Sequence, residues 1–204
     1  MKALLKKDLY EMLSSYRSFG IAIIICAALT LTPFGKMYLP YLVLFPSMIA
    51  DSLLGRDQYG GWEKTAALLP VSRRTGVSEK FFLALIMAAA GTVLALVCSL
   101  IRGDVPEGEI GGLALSCAAI GLTLPAFTLP FTYKFGVEKA RFFRIFIMLG
   151  LYVLVSALGS FGNITGAPAA LENVPGIAML IPSAALFAAA WALSAAIQSK
   201  KELA

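Results

Sequence analysis

Histidine is absent from this chain, which removes the commonest general base and metal ligand and weakens most enzymatic readings. The G-x-x-x-x-G-K-[ST] pattern of a phosphate-binding loop is missing too. The one Gly-Lys pair, Gly35-Lys36, is followed by Met37, so this chain alone is not expected to use ATP or to hold a cofactor. No pair of carboxylates within an apolar stretch, no Ser/His arrangement and no metal cluster offers a catalytic site. Cysteine is sparse. Cys26, Cys98 and Cys117 each fall within an apolar run at unrelated spacings, which excludes a disulfide framework or a zinc site and leaves them as small buried apolar residues. Charge is also scarce, at 14% of residues against about 25% in soluble domains.

What is abundant is apolar surface: 59% of the 204 residues are hydrophobic and the mean hydropathy is +0.81. Runs near the about 20 residues that cross about 30 Å of hydrocarbon recur. They cover Ser18 to Pro33, Met37 to Leu54, Phe81 to Ile101, Ile110 to Thr132, Phe142 to Phe161 and Pro175 to Ile197. The expectation is an all-α polytopic membrane protein of six spans, folded as one domain over 1–204. The first two runs are short and adjacent, and one broken element in their place is the alternative. Lys and Arg set the orientation, because basic short loops stay on the cytoplasmic side. With both termini inside, all but Lys36 and Arg102 of the 17 basic residues are cytoplasmic. The net charge of +5 then reflects topology and attraction to anionic lipid, with no basic groove for nucleic acid.

The start, MKALLKKDLYEMLSSYRSFG, is read as part of the protein, since the charged segment is long and amphipathic and no small-residue cleavage site follows. Residues 1–17 place Leu5, Leu9, Met12, Leu13 and Tyr16 on one helical face, with Lys2, Lys6, Lys7, Ser14 and Arg17 mostly opposite. That pattern predicts a helix in the membrane interface, its cations toward headgroups, with a soluble helical tail as the alternative. Prolines 40, 46, 125, 130 and 182 fall inside the expected spans and are expected to kink them. Ala184, Ala188, Ala192 and Ala196, like the run Ala88 to Gly91, predict close helix contacts, within the chain or between subunits. The outer segment 162–174, rich in Gly, Ala and Pro, is a candidate to re-enter the membrane.

Asp51 is the one ionisable residue well inside an expected span, about one turn before Gly55 and Arg56. A carboxylate there costs about 2.5 to 3.5 kcal/mol at mid-membrane. Two readings stay open: an interfacial position or structural ion pair, for which Arg56 is near in sequence, and a transport-path or gating role. The most informative segment is the polar stretch 56–80, RDQYGGWEKTAALLPVSRRTGVSEK, too polar for lipid and too apolar for a bare connector. After Gly60 and Gly61, Trp62 to Leu69 predicts a two-turn helix that ends before Pro70, and Ser72 caps a helix leading into the next span. A second segment, 133–144, YKFGVEKARFFR in its core, has the same mixture. Together they read as a docking face.

GGWEKTAALLPVSRRTGVSEK resembles the first cytoplasmic loop of ABC-2 type transporter membrane subunits, and YKFGVEKAR resembles the motif of their second loop. The branch that matches includes small bacterial exporters of phenol-soluble modulin peptides. The resemblance implies the permease half of an ATP-driven exporter in the bacterial cytoplasmic membrane. Two permease subunits would pair, as a homodimer by preference, and each would dock on a separate ATP-binding cassette subunit that carries ATP and magnesium. It further implies that coupling is carried by Trp62, Glu63, Leu69, Pro70, Val71 and Arg73, with Gly136, Glu138 and Lys139 in the second loop, and that the cargo is an amphipathic or hydrophobic peptide. The rival expectations are an ion-coupled transporter, which would need more intramembrane polar groups than Asp51, and a membrane sensor or lipid enzyme working without an ATPase.

Overall fold

The computed structural model describes residues 2–15, 17–32, 38–62, 73–103, 110–147 and 176–200, and among these all regular structure is helical. The elements are α1 (Lys2–Ser15), α2 (Arg17–Thr30), α3 (Leu39–Tyr59), α4 (Arg73–Arg102) and α5 (Ile110–Phe135). They are followed by α6 (137–147) and α7 (Gly176–Lys200). Helices α3, α4 and α5 pack on one another, α7 lies along α5 and against α4, and α2 flanks α3. The short α1 crosses the end of the bundle at which α3 and α5 finish and α4 begins, touching α3 and α4.

Three stretches are long and apolar enough to cross a membrane: Arg74–Arg102, Ile110–Phe135 and Ile177–Ser199. The shorter Gly20–Thr30 is apolar but covers about half a bilayer at 1.5 Å per residue. Helix α3 is different in kind. The expected span ended at Leu54, but the helix runs on through Arg56 and Asp57 to Tyr59, because Asp57 finds Lys7 and Lys80 on neighbouring elements. Leu42, Val43, Ala50 and Leu53 are all at most 1% exposed, so α3 is the interior helix of the bundle. The fifth expected span, Phe142 to Phe161, is helical as far as 147. Its remainder, the loop tract 63–72 and the segment 162–174 lie outside the described residues.

Two apolar clusters fill the interior. One, nearer α1, joins Leu53, Val77, Phe81, Leu129, Tyr133 and Ala190, with Met12 and Phe187 packed against it. Phe81 and Phe187 meet edge to face at 5.2 Å, a favoured aromatic geometry. The other joins Leu42, Val43, Ala95, Cys98 and Cys117, with Cys26 alongside, so all three cysteines gather in one apolar cluster as free thiols. The outer faces of α2 and α4 expose Ile21, Ile24, Ile25, Val93, Val97, Leu100 and Ile101, a surface that suits lipid contact rather than water. At the far end of the bundle Arg102 donates to the Thr30 carbonyl at 2.9 Å, capping the last turn of α2.

Two expectations are corrected here. Pro40 does not interrupt a helix; it lies in the first turn of α3, where its missing N–H costs nothing. Pro46, Pro125, Pro130 and Pro182 do lie inside helices. The alanines at 184, 188, 192 and 196 are exposed, and among the described residues α7 packs through Ser183, Ala190 and Ser194 instead.

The close approach falls at Gly91. A Cβ there would lie 2.8 Å from the Val43 Cα and 2.9 Å from the Leu42 carbonyl oxygen, the acceptor that Pro46 leaves without its helical donor. Both are backbone atoms and cannot swing aside. At Gly121 a Cβ would meet the Val43 Cγ1 at 2.8 Å, a side-chain atom that can rotate, and at Gly112 it would meet nothing within 4 Å. Gly91→Ala is therefore expected to cost about 1 to 3 kcal/mol, Gly121→Ala less, and Gly112→Ala to be neutral or slightly stabilising. Unfolding in bicelles gives the three values, and equal effects at 91 and 112 would contradict the close α3–α4 contact.

Candidate coupling site

The last two turns of α3 gather the polar elements described at this end of the bundle. On one side Asp57, 7% exposed, pairs with Lys7 of α1 and lies 2.7 Å from the Lys80 ammonium of α4. Lys80 is itself 4% exposed and holds Asp8 of α1 at 2.5 Å. Asp8, 1% exposed, is the most deeply buried acid described. Glu79 is buried beside this group with Oε1 lacking a hydrogen-bond partner, while Asp8 and Asp57 share the buried Lys80 ammonium, with Lys7 at the rim. Oxygens of Asp8, Glu11 and Asp57 lie within 4.8 Å of one another, close enough for a cation. The ammonium groups of Lys7 and Lys80 already fill that place.

Lys7 also reaches the first loop. Its ammonium stands 4.2 Å from the Trp62 ring centroid, within the range of a cation–π contact. The backbone sets Trp62 there: the Gly60 N–H closes on the Arg56 carbonyl at 2.7 Å, and Gly61 turns the chain at φ +67, a conformation that glycine adopts without strain. The charged face of α1 was expected to meet headgroups. For Lys7 that is corrected, since its charge is answered inside the protein, while Leu9 and Tyr10 of the same helix are exposed.

On its other side α3 receives the second polar segment, which is no open loop. Helix α5 continues through Phe135, Gly136 reverses the chain at φ +82, and α6 starts at once. Asp51 is 3% exposed; its carboxylate pairs with Arg144 of α6 and accepts from the Thr132 hydroxyl at 2.7 Å. The neighbour that the sequence offers, Arg56, is exposed. The Arg144 guanidinium stays charged, as a guanidinium does in any protein setting. The Gln58 amide donates weakly to the Thr132 carbonyl at 3.4 Å, Arg141 lies over the Tyr59 ring at 5.7 Å, and Val137 packs on Gly55, where a Cβ would meet it at 3.2 Å.

The residues singled out from the sequence thus divide. Trp62, Asp51 and Gly136 converge on the end of α3. Glu138 and Lys139 are exposed on α6, facing away from the bundle. Glu63, Leu69, Pro70 and Val71 lie outside the described residues, as does the side chain of Arg73, whose backbone opens α4. The sequence reading missed Asp8, Asp57, Thr132 and the partnership of Lys80 with both acids. The signal for Asp57 and Lys80 was there: opposite charges bordering successive apolar runs.

The arrangement ties two polar segments and one terminal helix to a single interior helix. No curated protein and no solved structure is a match for the sequence. The family model described as ABC-2 family transporter protein matches residues 3–201, nearly the whole chain and both segments gathered at α3. By this match the chain belongs to the ABC-2 transporter family as a membrane permease that works with an ATP-binding cassette subunit.

Proposed function

We propose that this permease is one half of the membrane part of a bacterial exporter, and that the polar end of α3 receives the stroke of the ATPase. On this reading the chain makes six spans with both termini in the cytoplasm, pairs with a second copy, and moves amphipathic or hydrophobic peptides outward from the cytoplasm or inner leaflet. ATP and magnesium sit on the partner subunit. The observation that carries the proposal is the convergence of both motif-bearing segments on one helix: Trp62 follows its last turn, and α6 is tied to it through Arg144 and Asp51.

A push on either segment therefore reaches α3, and α3 contacts α2, α4 and α5. Trp62, Glu63, Leu69, Pro70, Val71 and Arg73 would form the first contact with the ATPase, with Gly136, Glu138 and Lys139 in a second. Asp51, locked between α3, α5 and α6, would act as a tie within the transmission path. Trp62 is half-buried, so truncating it disturbs a contact without hollowing the core. Trp62→Ala should leave the chain inserted and folded but lower permease-stimulated ATP hydrolysis by about tenfold, as loss of an interfacial Trp anchor typically does. Stimulation unchanged in proteoliposomes would remove the first segment from the coupling path.

A further inference from the structure

The turn between α5 and α6 carries two cations that no described acid answers. Lys134, just before Gly136, stands 5.1 Å from the Phe135 ring centroid, and Arg141, in the second turn of α6, lies 5.7 Å over the Tyr59 ring. Both are exposed. The rings hold the two charges from one side, within the range of cation–π attraction, and leave their outer N–H groups open. Among the described residues no carboxylate pairs with either: Asp51 is taken by Arg144, and Asp57 by Lys7 and Lys80. Glu138 is exposed in the first turn of α6 and forms no ion pair with them. The corner beneath is rigid, because Phe131 of α5 stacks on Phe143 of α6 with centroids 3.4 Å apart and meets Phe135 at 4.7 Å.

What adjoins these cations identifies the partner. Along the exposed face of α6, Glu138, Lys139 and Arg141 give way to Phe142, Ile145 and Phe146, each between 64% and 69% exposed. Such a face suits hydrocarbon and not water. With a rise of about 1.5 Å per residue, Arg141 stands at the edge of that apolar face, at headgroup depth, and the exposed Tyr59 ring beside it has the amphipathic character of that layer. A zwitterionic headgroup would bring its own cation there, whereas an acidic one brings net negative charge to two unpaired positive ones. We propose that the corner framed by Tyr59, Lys134, Phe135 and Arg141 binds one acidic phospholipid of the cytoplasmic leaflet. Its phosphate lies on the Arg141 guanidinium, whose paired N–H groups match phosphate oxygens, Lys134 adds a second charge, and the acyl chains run along Phe142, Ile145 and Phe146. A soluble phosphate would gain nothing from those three side chains. The site uses none of the residues assigned to coupling and is independent of that role.

Native mass spectrometry of the delipidated full-length chain in detergent, titrated with phosphatidylglycerol or phosphatidylcholine, tests the proposal. The first phosphatidylglycerol should bind about twentyfold tighter than the first phosphatidylcholine, from about fivefold for each of two cations at an anionic headgroup. Arg141→Gln should lose about fivefold of that preference, and Arg141→Gln combined with Lys134→Gln should abolish it. Lys6→Gln is the control: this lysine is also exposed, on α1, with its ammonium 6.0 Å from the Tyr10 ring, and its loss should leave the preference intact. An equal loss in Lys6→Gln and Arg141→Gln would mean diffuse attraction by net charge and would overturn the site. So would equal binding of the two lipids by the wild type. Glycerophosphoglycerol, the same phosphodiester without acyl chains, should not displace the lipid at equal concentration; displacement would mark a site for a soluble anion and overturn the lipid assignment.

Discussion

Lys80→Met is expected to destabilise the folded permease by about 3 to 5 kcal/mol, the cost of leaving buried charge without its partner. Lys80 is 4% exposed and is the shared cation of Asp8 and Asp57; methionine fills nearly the same volume, so lost packing contributes little. The penalty comes from carboxylates that can neither reach water nor find another buried ammonium. Neutralising them should recover most of the loss: in the background of Lys80→Met, the changes Asp8→Asn and Asp57→Asn remove the stranded charges. Unfolding in bicelles gives both numbers. A single variant within about half a kcal/mol of wild type, as for ordinary surface substitutions, would mean that the cluster is hydrated and not part of the core.

Arg144→Met should cost a similar amount, about 3 to 5 kcal/mol, for the same reason. It strands Asp51, whose carboxylate is enclosed by α3, α5 and α6 and keeps only the Thr132 hydroxyl. Asp51→Asn in that background should restore stability, because a neutral amide can still accept from Thr132 and needs no cation. Arg56→Met supplies the control. Arg56 is exposed, where ion pairs contribute about 0 to 1 kcal/mol, so its loss should be small. If instead Arg56→Met were the costly change and Arg144→Met the mild one, α6 would not be fastened to α3.

The long apolar helices were legible because hydrocarbon demands runs of fixed length, and α4, α5 and α7 each contain the run expected for them. Their ends were less so. Helix α3 overran its expected limit by five residues, because Asp57 and Lys80 neutralise each other and allow helix to continue into polar sequence, whereas α4 begins at Arg73, directly after the expected cap at Ser72. The cluster was illegible for a simple reason: its partners stand far apart in the chain, 50 residues for Lys7 with Asp57, 72 for Asp8 with Lys80 and 81 for Asp51 with Thr132. Local spacing pointed Asp51 toward Arg56, five positions on, whereas the fold brings Arg144. Likewise the helical wheel of 1–17 set Lys7 on a lipid-facing side, since a wheel shows which residues share a face and not what that face meets.

The same distinction applies to the small residues. Both Gly91 and the alanines at 184, 188, 192 and 196 signalled closeness. Among the described residues, Gly91 lies close against the backbone of α3, whereas the alanines are exposed on α7. The family was legible in two short segments, and the structure adds that these segments, far apart in the chain, meet one helix.

The measurement that bears most directly on this account is purification of the tagged full-length chain from its native membrane in mild detergent, with identification of what comes with it. A polypeptide carrying the phosphate-binding loop that this chain lacks should co-purify, hydrolyse ATP faster in its presence, and do so in a Trp62-dependent way. A chain that moves cargo in vesicles with no nucleotide-hydrolysing partner would contradict it.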